Sequence, residues 1–229
     1  MPMLSSLAAI VVAYLIGSLS FAVIISRAMG LSDPRSYGSG NPGATNVLRS
    51  GNKKAAVLTL LFDALKGTVP VLLASWLAPR FGWGDGTLAL VGLAAFLGHL
   101  WPVFFRFQGG KGVATAVGVL LALVPLTGLA CIGLWLLLAY TTRYSSLAAI
   151  IAAVAAPVIQ LMVGGVSALI APIALMSLLL VWRHEGNIRK LLAGTESKIG
   201  QKAAGAAAPA PHPSHHTRHS RKQPPQGKH

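Results

Sequence analysis

Long apolar runs separated by short polar ones set the pattern of this chain. Runs of about 18 or more residues read as membrane spans, since roughly 20 residues at 1.5 Å rise cross the hydrocarbon core. The first run covers residues 7–26, the second 55–77 and the third 87–104. A fourth, 113–139, is long for one span and carries Pro125 and Gly128 near its middle, where proline breaks or kinks a helix. The last two, 147–163 and 166–182, flank a Gly164–Gly165 turn.

Charge orients these runs. No Lys or Arg precedes the first, whereas Arg27, Arg35, Arg49, Lys53 and Lys54 follow it. Positive loops stay cytoplasmic, and a secretory signal carries its charge in front. The first run is therefore expected to be a retained span with its N-terminus outside. Splitting 113–139 into two helices, out and back, keeps Arg143 cytoplasmic; one long helix puts it outside. The expected fold is all-α, a polytopic transmembrane bundle of seven helices with the C-terminus cytoplasmic. Five spans are the alternative, if each of the last two pairs merges.

Composition agrees with that reading. The 229 residues are 54% hydrophobic and 10% charged, against roughly 25% charged in a soluble domain. The charges are 19 Lys+Arg and 5 Asp+Glu, and Cys131 is the one cysteine. A disordered chain, a disulfide scaffold and a water-soluble enzyme are excluded. The net charge of +14 is the excess that orientation in a membrane requires, so no nucleic-acid partner is expected. Residues 1–200 form the membrane-embedded domain. From 201 to 229 the chain is basic and rich in Ala, Pro and His, and it is expected to be a disordered tail.

The polar residues collect in three clusters, all on the expected cytoplasmic side. In the first, Gly38-Ser39-Gly40-Asn41-Pro42-Gly43-Ala44-Thr45-Asn46 is followed by Arg49. Three glycines and a proline exclude a helix interior, and four short hydrogen-bonding side chains with a guanidinium fork suit an oxyanion. The second, Gly109-Gly110-Lys111-Gly112-Val113-Ala114-Thr115, opens a span; a glycine turn at a helix start presents free N–H groups at the positive dipole end. It is not a nucleotide P-loop, because Phe105 and Gly112 stand where Gly and Ser/Thr are needed. The third holds His184, Glu185 and Asn187, then Gly194, Glu196 and Lys198. Asp63 and Lys66, three residues apart in the second span, are expected to pair as a structural element. His99 is expected to be structural. No nucleophile elbow and no metal-ligand cluster is present.

These motifs, with Gly98-His99-x-Trp101-Pro102-Val103-Phe104 and Tyr144-Ser145-Ser146-Leu147, resemble the PlsY family over about residues 10–200. The family comprises bacterial inner-membrane glycerol-3-phosphate acyltransferases that take an acyl phosphate as donor. The resemblance implies acyl transfer to the sn-1 hydroxyl of glycerol 3-phosphate, giving lysophosphatidic acid and phosphate, the first committed step of phospholipid synthesis. It implies catalytic roles for Ser39, Arg49 and His184. Asn41, Thr45, Asn46, Gly109, Gly110, Lys111, Gly112, Thr115, Ser146, Asn187 and Glu196 are the implied substrate-binding residues. Gln108 departs from the lysine frequent in the family. No cofactor or metal is expected; the partners are glycerol 3-phosphate, acyl phosphate, membrane lipid and, as a candidate, the enzyme that forms the acyl phosphate. Whether the donor's phosphate oxygen or His184 takes the hydroxyl proton is open at this point. A transporter or channel for a phosphorylated solute is the alternative function, disfavoured because such sites lie near the midplane between repeats.

Overall fold

In hydrocarbon a backbone has no water to bond to, so an apolar run must close its hydrogen bonds internally. Each apolar run is accordingly helical in the computed structural model, which describes residues 2–201; the expected tail lies outside the described residues except for Gln201. The helices are α1 Pro2–Gly17, α2 Phe21–Ala28, α3 Ala44–Leu48, α4 Lys53–Phe81, α5 Asp85–Leu100, α6 Val113–Leu123, α7 Pro125–Thr142, α8 Ser145–Gly164, α9 Ile170–Arg183 and α10 Glu185–Leu192. No strand occurs among the described residues.

The expected first span, 7–26, is not one straight helix. It breaks after Gly17 and bends by 43° into α2. The Lys66 ammonium donates to the Leu19 carbonyl at 2.7 Å, so the group released by the break is satisfied from α4. Run 113–139 divides at Val124, directly before Pro125, which opens α7 at a position where proline lacks no needed bond. α6 starts and α7 ends near one end of the bundle: Lys111, before α6, reaches Asn187 on α10, and Ile199 N donates to Arg143 O at 2.7 Å, tying the end of α7 to the segment after α10. By length and composition four helices are able to cross a membrane, or five if the bent α1–α2 pair counts as one span. At 11 and 14 residues, α6 and α9 are shorter than the roughly 20 that span the core unaided.

α1 packs on α5, α4 on α5 and α6, and α8 between α7 and α9. Phe96 and Leu100 of α5, Val71 of α4, Val119 of α6 and Ile173 of α9 share the main core. Contact between α4 and α6 is close enough that a Cβ on Gly118 would overlap the Ala64 carbonyl, as small-residue packing in membranes allows. The outer faces keep large apolar side chains such as Leu72, Leu137 and Val158 exposed, as lipid contact permits.

Within this apolar bundle lies one charged knot. Asp63 and Lys66 on α4 pair at 2.8 Å and both are buried, as their spacing predicts. Thr115 on α6 donates to the Asp63 carbonyl at 2.8 Å and lies 3.0 Å from His99 Nδ1 on α5. Removing one member of a buried pair strands the other charge, whereas replacing both need cost little. Lys66→Met is expected to lower stability by about 3–5 kcal/mol, and Asp63→Leu with Lys66→Met to recover most of that loss. Thermal unfolding in detergent micelles measures both variants.

Candidate active site

The loop between α2 and α4 gets its shape from Asn46. Its Nδ2 donates to the Pro34 and Tyr37 carbonyls at 2.6 and 3.1 Å, and its Oδ1 accepts from Ser39 N at 3.0 Å. Asn46 is 2% exposed and its amide is committed inside the loop. Expected among the substrate-binding residues, Asn46 spends its amide bracing the loop itself. Ser39 and Thr45 face outward and Asn41 is half-buried. Thr45 Oγ1 lies 3.2 Å from Ser145 Oγ, which joins this loop to the start of α8. Arg49, next after α3, reaches Ser197 Oγ with its Nη2.

The second glycine loop is held from both sides. Gly110 N donates to the His99 carbonyl at 3.1 Å, and Arg183 donates to the Gly110 and Gly109 carbonyls at 3.1 and 2.9 Å. At Gly110 any Cβ would overlap the His99 ring and meet the Pro42 carbonyl at 3.0 Å, so here the two glycine loops touch. Gly112 caps α6 at φ +86°, a left-handed conformation that favours glycine. Thr115, the last residue of the motif, is fully buried and faces the Asp63–His99 knot. Expected among the substrate-binding residues, it is turned inward from Lys111 by the helix's 3.6 residues per turn and spends its hydroxyl on this knot.

The third cluster completes the ring. Lys111 Nζ donates to Asn187 Oδ1 on α10, and Asn187 Nδ2 donates to Glu196 Oε1 at 2.7 Å. Ser146 Oγ donates to the same Glu196 oxygen at 2.8 Å. Glu196 adjoins Ser197, which holds Arg49. Arg49, Lys111, Ser146, Asn187 and Glu196 therefore belong to one polar network built from four separate stretches of the chain.

The electrostatics of this network are lopsided. Burial is the largest influence on Lys111, pushing its ammonium down to about 8; Glu196 opposes that shift, while Arg49, Arg183 and Lys190 add to it. One carboxylate thus faces four cations. A site with that surplus suits a ligand carrying two or more negative charges. His184 is 3% exposed, with Nδ1 2.8 Å from the Leu180 carbonyl. That contact makes Nδ1 the protonated nitrogen, and burial beside Lys111 holds the ring down to about 4, so it is neutral at pH 7. Among the described residues no group of three or more His, Cys, Asp or Glu is arranged to hold a metal ion.

The sequence reading gives no role to Arg183, Ser197 or Lys190. Arg183 ends an apolar run, where a basic residue reads as a topology marker, and Ser197 sits in an ordinary polar stretch. Neither has a local signal; the Ser197 position two residues before Ile199, tied to Arg143, gains meaning only in three dimensions.

The fold and site define a helical integral membrane protein with a cation-rich polar network at one end of its bundle. A family model described as glycerol-3-phosphate acyltransferase matches residues 7–194. Glycerol-3-phosphate acyltransferase of Ralstonia pickettii (strain 12J) is 60% identical over 205 residues, covering 90% of this chain and 99% of the relative. The Ralstonia nicotianae (strain GMI1000) protein of the same name is 65% identical over 192 residues, 84% of this chain and 93% of its own length. Among solved structures, the glycerol 3-phosphate form of PlsY (YgiH), an integral membrane glycerol 3-phosphate acyltransferase, is similar at TM-score 0.79 and 41% identity, covering 86% of this chain and 96% of that one. Its lysophosphatidic acid form is similar at TM-score 0.78 and 40% identity over the same shares. The chain belongs to the glycerol-3-phosphate acyltransferase family.

Arg183→Ala removes two charge-assisted bonds from the glycine loop, each worth about 1.5–3 kcal/mol. Amide hydrogen exchange at residues 109–112 is expected to accelerate at least about ten-fold, with α7 and α8 unchanged. Equal acceleration across the bundle would mean general destabilisation instead.

Proposed function

We propose that this protein transfers the acyl group of an acyl phosphate to the sn-1 hydroxyl of glycerol 3-phosphate, releasing lysophosphatidic acid and phosphate. The reaction takes place at the cytoplasmic face of the inner membrane. One observation carries the reading: Arg49 and Lys111, each from its own glycine loop, join through Ser197, Glu196 and Asn187 into a single network. Two phosphorylated substrates need two anion-suited loops, and they must be neighbours for an ester to form between them. Glycerol 3-phosphate enters the argument through family membership and through relatives that carry it in their names.

In the proposed arrangement Ser39, Asn41, Thr45 and Arg49 hold the acyl phosphate, with Asn46 as their brace. Gly109, Gly110, Lys111 and Gly112 hold glycerol 3-phosphate, with Ser146, Asn187 and Glu196 beside them and Thr115 behind. The sn-1 oxygen bonds to the acyl carbon, the acyl–phosphate C–O bond breaks, and the hydroxyl proton leaves on the released phosphate. An acyl phosphate is already activated, so positioning, which supplies roughly 7–11 kcal/mol in well-oriented systems, and electrostatic clamping suffice. His184 at about 4 is a weak proton acceptor at neutral pH and takes a positioning role in this scheme. The return of α7 to Ile199 supports the out-and-back passage of 113–139 that seven crossings need, and the basic residues after the first run favour its N-terminus outside. A transporter is disfavoured because the network lies at one end of the bundle rather than at its midplane.

Purified protein given glycerol 3-phosphate with acyl phosphate, acyl-CoA or acyl carrier protein in turn is expected to form lysophosphatidic acid from acyl phosphate alone. Product from acyl-CoA would overturn the donor assignment. Lys111 is charged below about pH 8 and neutral above it. The KM for glycerol 3-phosphate is therefore expected to rise as pH increases through about 8, and this rise should vanish in Lys111→Arg. His184→Asn is expected to lower kcat by less than the 10²–10⁴ of a general base, as rates at saturating substrate will show.

A further inference from the structure

A narrow apolar cavity lies between α6, α7, α8 and α9. At the site end it is bounded by Val113, which follows Gly112, and by Leu180, whose carbonyl holds His184. At the far end Leu120, Cys131 and Ala156 line it. Its volume is about 40 Å³, so it is a seam, and an occupant widens it by shifting flexible walls such as Met176.

One helical turn past Cys131 on α7 stands Thr127, and one turn past Ala156 on α8 stands Gln160. Both are buried, and Thr127 Oγ1 donates to Gln160 Oε1 at 2.7 Å. A buried amide in hydrocarbon is costly, and packing of α7 on α8 does not require one. The pair lies beyond the cavity's lining, where an alkyl chain continuing past Cys131 and Ala156 would meet it. The rise along α8 from Ser146 at the site to Gln160 is about 21 Å, enough for a chain that fills one leaflet of the roughly 30 Å core.

We propose that the seam takes the hydrocarbon tail of the acyl donor and that the Thr127–Gln160 bond sets the longest tail the enzyme accepts. The inference rests on the acyltransferase reading above. Small side chains on α8, Ala149, Ala152 and Ala156, leave the seam its width, and enlarging the deepest of them shortens it.

The test uses the full chain in phospholipid vesicles with saturating glycerol 3-phosphate and acyl phosphates of ten to eighteen carbons. Ala156→Leu is expected to lower the ratio of kcat/KM for the eighteen-carbon donor over the twelve-carbon donor by about ten-fold, since each tail methylene denied burial costs about four-fold. Thr127→Val with Gln160→Leu is expected to raise that ratio. A second measurement needs no variant: a sixteen-carbon donor with a diazirine at its end, photolysed on the wild-type protein, should label peptides spanning 127–131 and 156–160. Labelling confined to lipid-facing Leu136, Leu137 and Val158, or one length preference shared by all three proteins, overturns the proposal. Lack of product from every donor, with labelling still at 127–131, counts against the transfer reaction and leaves the seam standing.

Discussion

Four cations meeting at one end of an apolar bundle is the constraint on which the rest depends. Arg49, Lys111, Arg183 and Lys190 repel one another, and burial already disfavours the charge on Lys111. Glu196 supplies part of the counterweight, accepting from Ser146 and Asn187 on one oxygen, and Asn187 passes that influence to Lys111. The hydroxyl of Ser197 does the same for Arg49. Donors that point at a carboxylate and a hydroxyl are the donors a phosphate would engage. A short polar segment after α10 thus keeps the cations ordered in directions useful to an anion.

Such precision needs a stiff floor, and the intramembrane knot provides it. His99 contributes its carbonyl to Gly110 and its ring to the wall against which Gly110 packs. That ring is fixed by Thr115, whose hydroxyl is fixed by the Asp63 carbonyl, and Asp63 pairs with Lys66. Lys66 reaches on to the Leu19 carbonyl at the α1–α2 break. The charged pair thereby connects the bend in the first helix to the loop that carries Lys111. A pair in hydrocarbon contributes little net stability by itself; what it supplies here is the relative placement of α1, α4, α5 and α6.

Much of this was legible in the sequence because hydrocarbon is an exacting solvent. Apolar run lengths, Pro125 and the Gly164–Gly165 turn located the helices, and the three polar clusters stood out against an apolar background. Asp63 and Lys66 were readable as a pair because their spacing puts them on one helix face. The bend after Gly17 was not, since the residues there are apolar or small and the cause, Lys66, lies on another helix. The inward bonds of Asn46 and Thr115 were not legible, because a motif gives residue types without the direction in which each side chain points. Arg183 was passed over for the converse reason, because a basic residue at a span end already has an explanation in topology.

The geometry also bears on how the proposed transfer dispenses with a base. A general base works best with a pKa near the operating pH, and His184, held to about 4, is far from it. The same neighbouring Lys111 that helps lower the His184 pKa would attract a phosphate dianion. A site cannot raise a histidine to the basicity of a useful proton acceptor while packing cations beside it to hold two phosphates. Of the two demands, the proposed site is built for the second. The proton of the attacking hydroxyl is then best taken by the departing phosphate, which becomes more basic as its bond to the acyl carbon breaks and is already in the grip of Arg49 in the proposed pose.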